Sequence, residues 1–194
     1  MEKEGNNMIS SNRSLLFPST PTITTMKILV IDDTEKHRTA ALKLLSGHDV
    51  TAVESLAAAA LELTKRDLFG KKSFTNPKGY DVVLTDLAMP YESEARSMGI
   101  KEEDGSGTPL PIGLGVAALA LKAGVSKVAV VSAGGEDDAP GSNHHGHPFV
   151  SWATLYFYEI PGRLWLFSNN DCPRTEIDGV KVKDWKVVLE KMLS

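Results

Sequence analysis

Hydrophobic and polar positions alternate along this chain in short blocks from Met26 onward. Lys27-Ile28-Leu29-Val30-Ile31 is an apolar, β-branched run that reads as a buried strand. Asp33 or Thr34 can cap a following helix whose Ala41, Leu44 and Leu45 share one face, and Gly47 ends it. Asp49 to Val53 is a second strand, and Ser55 caps an alanine-rich helix over Leu56 to Arg66. Residues 70–79 read as a loop, and Tyr80 to Thr85 as a third strand. A helix over Ile112 to Ala123 leads to Lys127-Val128-Ala129-Val130-Val131, the clearest strand of all. Phe149 to Tyr158 reads as a fourth helix and Leu164 to Phe167 as a fifth strand. A last helix from about Val180 carries Val182, Trp185, Leu189 and Met192 on its apolar face. Five βα units in succession imply an α/β fold, a doubly wound five-stranded parallel sheet.

The remaining length lies outside this pattern. Residues 1–25 are polar and rich in Ser, Thr, Asn and Pro, which reads as a disordered leader ahead of a single domain at 26–194, with Met26 a candidate initiator. Beyond the loop at 70–79, two more enlarged loops are expected at 91–108 and 134–147.

Composition narrows the classes of function. The 194 residues carry 21 Lys and Arg against 25 Asp and Glu, a net charge of −4, so no basic surface for nucleic acid is implied. No apolar run approaches the about 20 residues that cross a bilayer, and the first residues are not those of a secretory signal. One cysteine, Cys172, excludes an internal disulfide. The expectation is a cytoplasmic protein without nucleic-acid or membrane partners.

In a doubly wound sheet ligands sit beyond the carboxyl ends of the strands, near the switch in strand order. Asp32-Asp33 follows the first strand, Asp86 the third and Ser132 the fourth. Three carboxylates in one pocket repel one another unless a cation lies among them, and a hard divalent ion such as Mg²⁺ is the natural partner. A hydroxyl opposite could hold a phosphate oxygen, so the set suits phosphoryl transfer to or from a carboxylate.

Val30-Ile31-Asp32-Asp33, Val83-Leu84-Thr85-Asp86-Leu87-Ala88-Met89-Pro90 and Ala129-Val130-Val131-Ser132-Ala133 together resemble the receiver domain of two-component response regulators. The resemblance covers essentially all of 26–194 and implies a flavodoxin-like fold, with Asp86 phosphorylated by a histidine kinase. It implies that Asp32, Asp33 and Asp86, with the backbone carbonyl of Ala88, hold Mg²⁺, and that Ser132 is the switch hydroxyl that turns to the phosphoryl group. Trp165 falls where the family's switch aromatic is expected. The partners implied are a sensor histidine kinase or phosphotransfer protein and an output protein. A homodimer is a further option. With only one helix after the fifth strand, the reading is a stand-alone receiver that signals by docking. The docking surface would include Phe149, Trp152, Tyr156, Tyr158 and Trp185.

One departure weighs against phosphorylation. The family places a lysine directly after the fifth strand, where this chain reads Ser168-Asn169-Asn170. Lys181 and Lys183 precede or sit on the last helix and are poor candidates to replace it. A phosphorylation-independent pseudo-receiver is therefore the alternative, and a small Mg²⁺-dependent phosphohydrolase a lesser one. Other signals are weaker. His144, His145 and His147 could bind Zn²⁺ or Ni²⁺ but read first as an exposed polar loop. Gly113-x-Gly115-x-x-Ala118 does not follow a strand, so it reads as small residues that let a helix pack closely on the sheet.

Overall fold

The computed structural model describes residues 24–66, 72–87, 89, 112–132, 162–167 and 172–194. Their elements run β1 (Lys27–Ile31), α1 (Glu35–Leu44), β2 (Asp49–Val53), α2 (Leu56–Leu63), β3 (Thr64–Arg66), β4 (Lys72–Phe74) and β5 (Val82–Asp86). Then follow α3 (Ile112–Lys122), β6 (Lys127–Val131), β7 (Leu164–Phe167), β8 (Arg174–Ile177), β9 (Val180–Lys183) and α4 (Trp185–Leu193).

Five strands form one parallel sheet in the order β2-β1-β5-β6-β7. Counting sheet strands alone this is 2-1-3-4-5, the doubly wound order of the flavodoxin-like fold. The alternation within each strand sorts the core into two layers. Ile28 and Val30 of β1 and Val82 and Leu84 of β5 pack with Ala41 and Leu45 of the α1 side and Trp185, Val188 and Leu189 of α4. Leu29, Ile31 and Val83 face the other way, against Ala59 and Leu63 of α2 and Val116, Ala117 and Ala120 of α3. Both faces being covered, the central strands read as unbroken apolar runs rather than alternating ones.

Three boundaries depart from the sequence reading. The helix expected over Leu56 to Arg66 stops at Leu63, and Thr64–Arg66 turns into β3, which pairs antiparallel with β4 inside the stretch expected as a loop. The last helix starts at Trp185, capped by the Asp184 carboxylate accepting from the Val187 N–H, not near Val180. In its place β8 and β9 form an antiparallel hairpin closed by Asp178 and Gly179, at φ 53° and 78°. Asp-Gly is the sequence a tight turn with two positive φ values selects, and between Thr175-Glu176-Ile177 and Val180-Lys181-Val182 it marks a hairpin. Residues 1–23 of the leader, the fourth helix, both long loops and the histidine cluster lie outside the described residues.

Candidate functional site

The sheet order makes β1 and β5 neighbours, while the chain leaves β1 toward β2 on one side and β5 toward β6 on the other. Their carboxyl ends therefore flank the crevice at the switch point. Asp32 and Asp33 follow β1, and Asp86 ends β5. Carboxylate oxygens of all three lie within 4.8 Å of one another. Asp32 is fully buried and Asp86 is 8% exposed.

The acidic loop is held in place by the first turn of α1. Asp32 Oδ1 accepts from the Thr34 N–H at 2.9 Å, and the Arg38 guanidinium donates to the carbonyls of Asp32 and Asp33 at 2.7 and 2.6 Å. Asp33 is thereby released from the capping role a lone Asp after a strand usually takes, and Thr34 stands at the N-cap. Asp86 Oδ1 accepts from the Leu87 N–H at 2.9 Å. Behind it, Gly113 at the start of α3 donates its N–H to the Leu87 carbonyl at 3.1 Å. A Cβ on Gly113 would stand 1.9 Å from the Asp86 carbonyl oxygen, so the small residue is what lets α3 press against the strand end.

A cation stands among these carboxylates, the ammonium of Lys183. Its Nζ lies 2.6 Å from Asp32 Oδ2 and 2.8 Å from Asp86 Oδ1, and it is 2% exposed. Lys183 thus reaches the carboxylates, although from the sequence it and Lys181 are poor candidates to do so. The hairpin β8–β9 carries the chain back to the sheet edge and delivers the ammonium from the end of β9, fifteen positions after Ser168. Nearby, the Lys183 ammonium lies 5.5 Å from the Trp185 ring centroid.

The charges shape one another. Burial, with Asp32 and Asp33 adding to it and Lys183 opposing, pushes the Asp86 carboxyl up to about 7. Burial and the neighbouring Asp32 also raise Asp33. For Lys183, burial alone would depress the ammonium, but Asp86 and Asp32 outweigh it and hold it above its ordinary value. Once Asp86 has also ionised, one ammonium faces three carboxylates, an excess of two negative charges. Closely spaced carboxylate oxygens with that residual charge fit a hard divalent cation.

This surplus sets a pH dependence. A carboxyl whose folded pKa is raised contributes stability at low pH that is lost as pH climbs from about 4 through about 7. The half-buried His37, lowered by burial to about 4, acts with the opposite sign, losing its contribution as pH falls from the ordinary imidazole range toward 4. Comparing Asp86→Asn with the parent cancels the histidine. The variant's Tm relative to the parent is expected to rise by several degrees between pH 5 and pH 8, and addition of Mg²⁺ at pH 8 should stabilise only the parent. A difference in Tm that is flat with pH would show that Asp86 carries no such strain.

The other predicted site residues divide. Ser132 follows β6, one position beyond Val131, the register partner of Asp86, and its N–H donates to the Phe167 carbonyl at 2.8 Å. It thus shares the edge with the carboxylates. Trp165 pairs with Ala129 in the middle of the edge strand β7, with the Lys127 ammonium 5.1 Å from its ring centroid. That lysine sits at the amino end of β6, the end away from Asp86. Trp185, expected in part as docking surface, is fully buried between α1 and the sheet. Ala88 lies outside the described residues, as do Phe149, Trp152, Tyr156 and Tyr158. Arg38, His37 and the lysine-bearing hairpin were not singled out from the sequence. Only the Asp-Gly turn could have flagged the hairpin.

No protein-family model matches the chain, and no curated protein matches it. Among solved structures, the chain is similar to the response regulator receiver domain (CheY-like) from Methylobacillus flagellatus. The identity is 16% and the TM-score 0.39, over 87% of this chain and 99% of that one. The strand order 2-1-3-4-5 is the one CheY-type receivers share with flavodoxin. Among the described residues, no helix is long and apolar enough to cross a membrane.

Proposed function

We propose that this chain is a receiver that accepts a phosphoryl group on Asp86 and passes the signal on by protein docking. The observation that carries the reading is the Lys183 ammonium, buried against both Asp32 and Asp86 at the switch point of the sheet. The lack of a lysine after the fifth strand is the main ground for a pseudo-receiver, and the buried Lys183 supports the phosphoacceptor reading against it.

In the proposed reaction an Asp86 carboxylate oxygen attacks the phosphorus of a phosphohistidine on a sensor kinase or phosphotransfer protein. The new O–P bond forms as the donor's N–P bond breaks, and the leaving imidazole keeps that electron pair and takes a proton from solvent. Asp32, Asp33 and Asp86, with the Ala88 carbonyl, would hold Mg²⁺, which when bound neutralises charge on the phosphoryl oxygens. Lys183 balances the remaining charge and, released in part from Asp86, pairs with a phosphoryl oxygen. The Ser132 hydroxyl, on the same edge, supplies a further donor.

Incubation with phosphoramidate and Mg²⁺, followed by intact mass, tests this. The parent should gain one phosphoryl adduct that Asp86→Asn does not form. An unmodified parent, or an adduct retained by the variant, overturns the reading. Sustained multiple turnover of a phosphomonoester would replace it with the phosphohydrolase.

A further inference from the structure

The strand that carries Lys183 lies outside the main sheet. Among the described residues β8 and β9 pair as strands with each other alone, a two-stranded ribbon, so the ladder that rigidly places Asp32 and Asp86 does not place the ammonium. Something else must hold the end of β9 against the acidic pocket.

Two polar links tie the ends of the ribbon to α1. At the turn, Lys43 Nζ meets Asp178 at 2.6 Å, an exposed ion pair that contributes little. At the other end, His37 engages both sides of the lysine. Its Nδ1 accepts from the Lys183 N–H at 3.2 Å, and its backbone carbonyl accepts from the Trp185 indole N–H at 3.0 Å. The next residue, Arg38, grips the carbonyls of Asp32 and Asp33. Consecutive residues of one helical turn therefore hold the cation's strand and the acidic loop.

We infer that His37 is the positioning residue of the site, holding the end of β9 so that the Lys183 ammonium stands between Asp32 and Asp86. The role rests on the reading of Lys183 as the cation of the phosphoryl site, but its geometry exists without any ligand. For Nδ1 to accept, the ring must be neutral and carry its proton on Nε2. Burial and the nearby Lys183, Lys36 and Arg174 favour that neutral form, against the pull of Asp32. Replacing the ring by an apolar side chain removes the acceptor and leaves the Lys183 N–H without its partner. An asparagine carbonyl oxygen, placed like Nδ1, can restore it.

The test uses the full chain without phosphoryl donor. His37→Leu should raise the rate at which an amine-reactive ester labels Lys183 by about tenfold relative to the exposed Lys186, as expected for losing one half-buried hydrogen bond with its donor stranded. The Lys183 amide should exchange hydrogen faster by a similar factor, while β1 and β5 amides keep their protection. His37→Asn should return both rates most of the way to the parent's. Unchanged labelling in His37→Leu overturns the inference. So does general loosening in which β1 and β5 exchange as fast as Lys183, and so does failure of His37→Asn to rescue. An adduct-free parent that still shows the labelling pattern would count against the phosphoryl reading alone. A normal adduct with unchanged labelling would count against His37 alone.

Discussion

Replacing Lys183 by methionine is expected to lower the Tm at pH 8 by on the order of 10 °C. Methionine keeps much of the stem's bulk and removes the charge. Breaking a buried ion pair by deleting one partner costs about 3–5 kcal/mol, because the surviving charge stays buried and unpaired. For a domain of this size each kcal/mol moves the Tm by about 2–4 °C. Here the survivors are three carboxylates, two of them almost wholly enclosed. The loss should shrink toward pH 5, where Asp86 takes up a proton and the repulsion falls, and Mg²⁺ should restore more stability to the variant than it adds to the parent. Adduct formation from phosphoramidate should slow by about a hundredfold, the scale of losing one preorganised donor to a developing oxyanion. Lys186→Met, three positions away on the exposed face of α4, is the control and should behave like the parent. A Lys183→Met protein with the parent's Tm at pH 8 would falsify the central place given to this lysine.

The second large effect is a contrast between two glycines in one helix. Gly113→Ala is expected to destabilise the fold by about 3 kcal/mol, at the upper end of what overpacking costs, because its Cβ meets backbone rather than a side chain that could turn away. The new methyl would lie 1.9 Å from the Asp86 carbonyl oxygen and 2.8 Å from Leu87 Cα. Either α3 backs off the sheet or the end of β5 moves, and the latter takes Asp86 from its place beside Lys183. Gly115→Ala meets nothing within 4 Å and exchanges a poor helix former for the best, so it should stabilise by about 0.5–1 kcal/mol. Urea unfolding of the pair checks both signs. Equal midpoints would show that α3 does not press on the strand end as described.

How far each part was readable from the chain follows from the range of the forces involved. Apolar runs such as Ile28 to Ile31 and Val128 to Val131 are buried on both faces, and that burial is written residue by residue, so strands and fold class were legible. The acidic residues were legible too, because their place at strand ends follows from the strands. The hairpin was not. Lys181, Val182 and Lys183 continue smoothly into the apolar pattern of α4, and only the backbone demand of Asp178-Gly179 separates ribbon from helix. The early end of α2 was hidden in the same way, Thr64 to Arg66 pairing with a strand eight residues on.

By itself the sequence determined a doubly wound sheet, the carboxylates Asp32, Asp33 and Asp86 at its edge, and a glycine where α3 begins. It did not determine which cation answers those carboxylates. That was decided by tertiary structure: a ribbon outside the sheet, tied to α1 through His37, brings Lys183 across 151 positions to Asp32. A lysine's burial depends on the charges it meets, and no local pattern records a partner so far away along the chain.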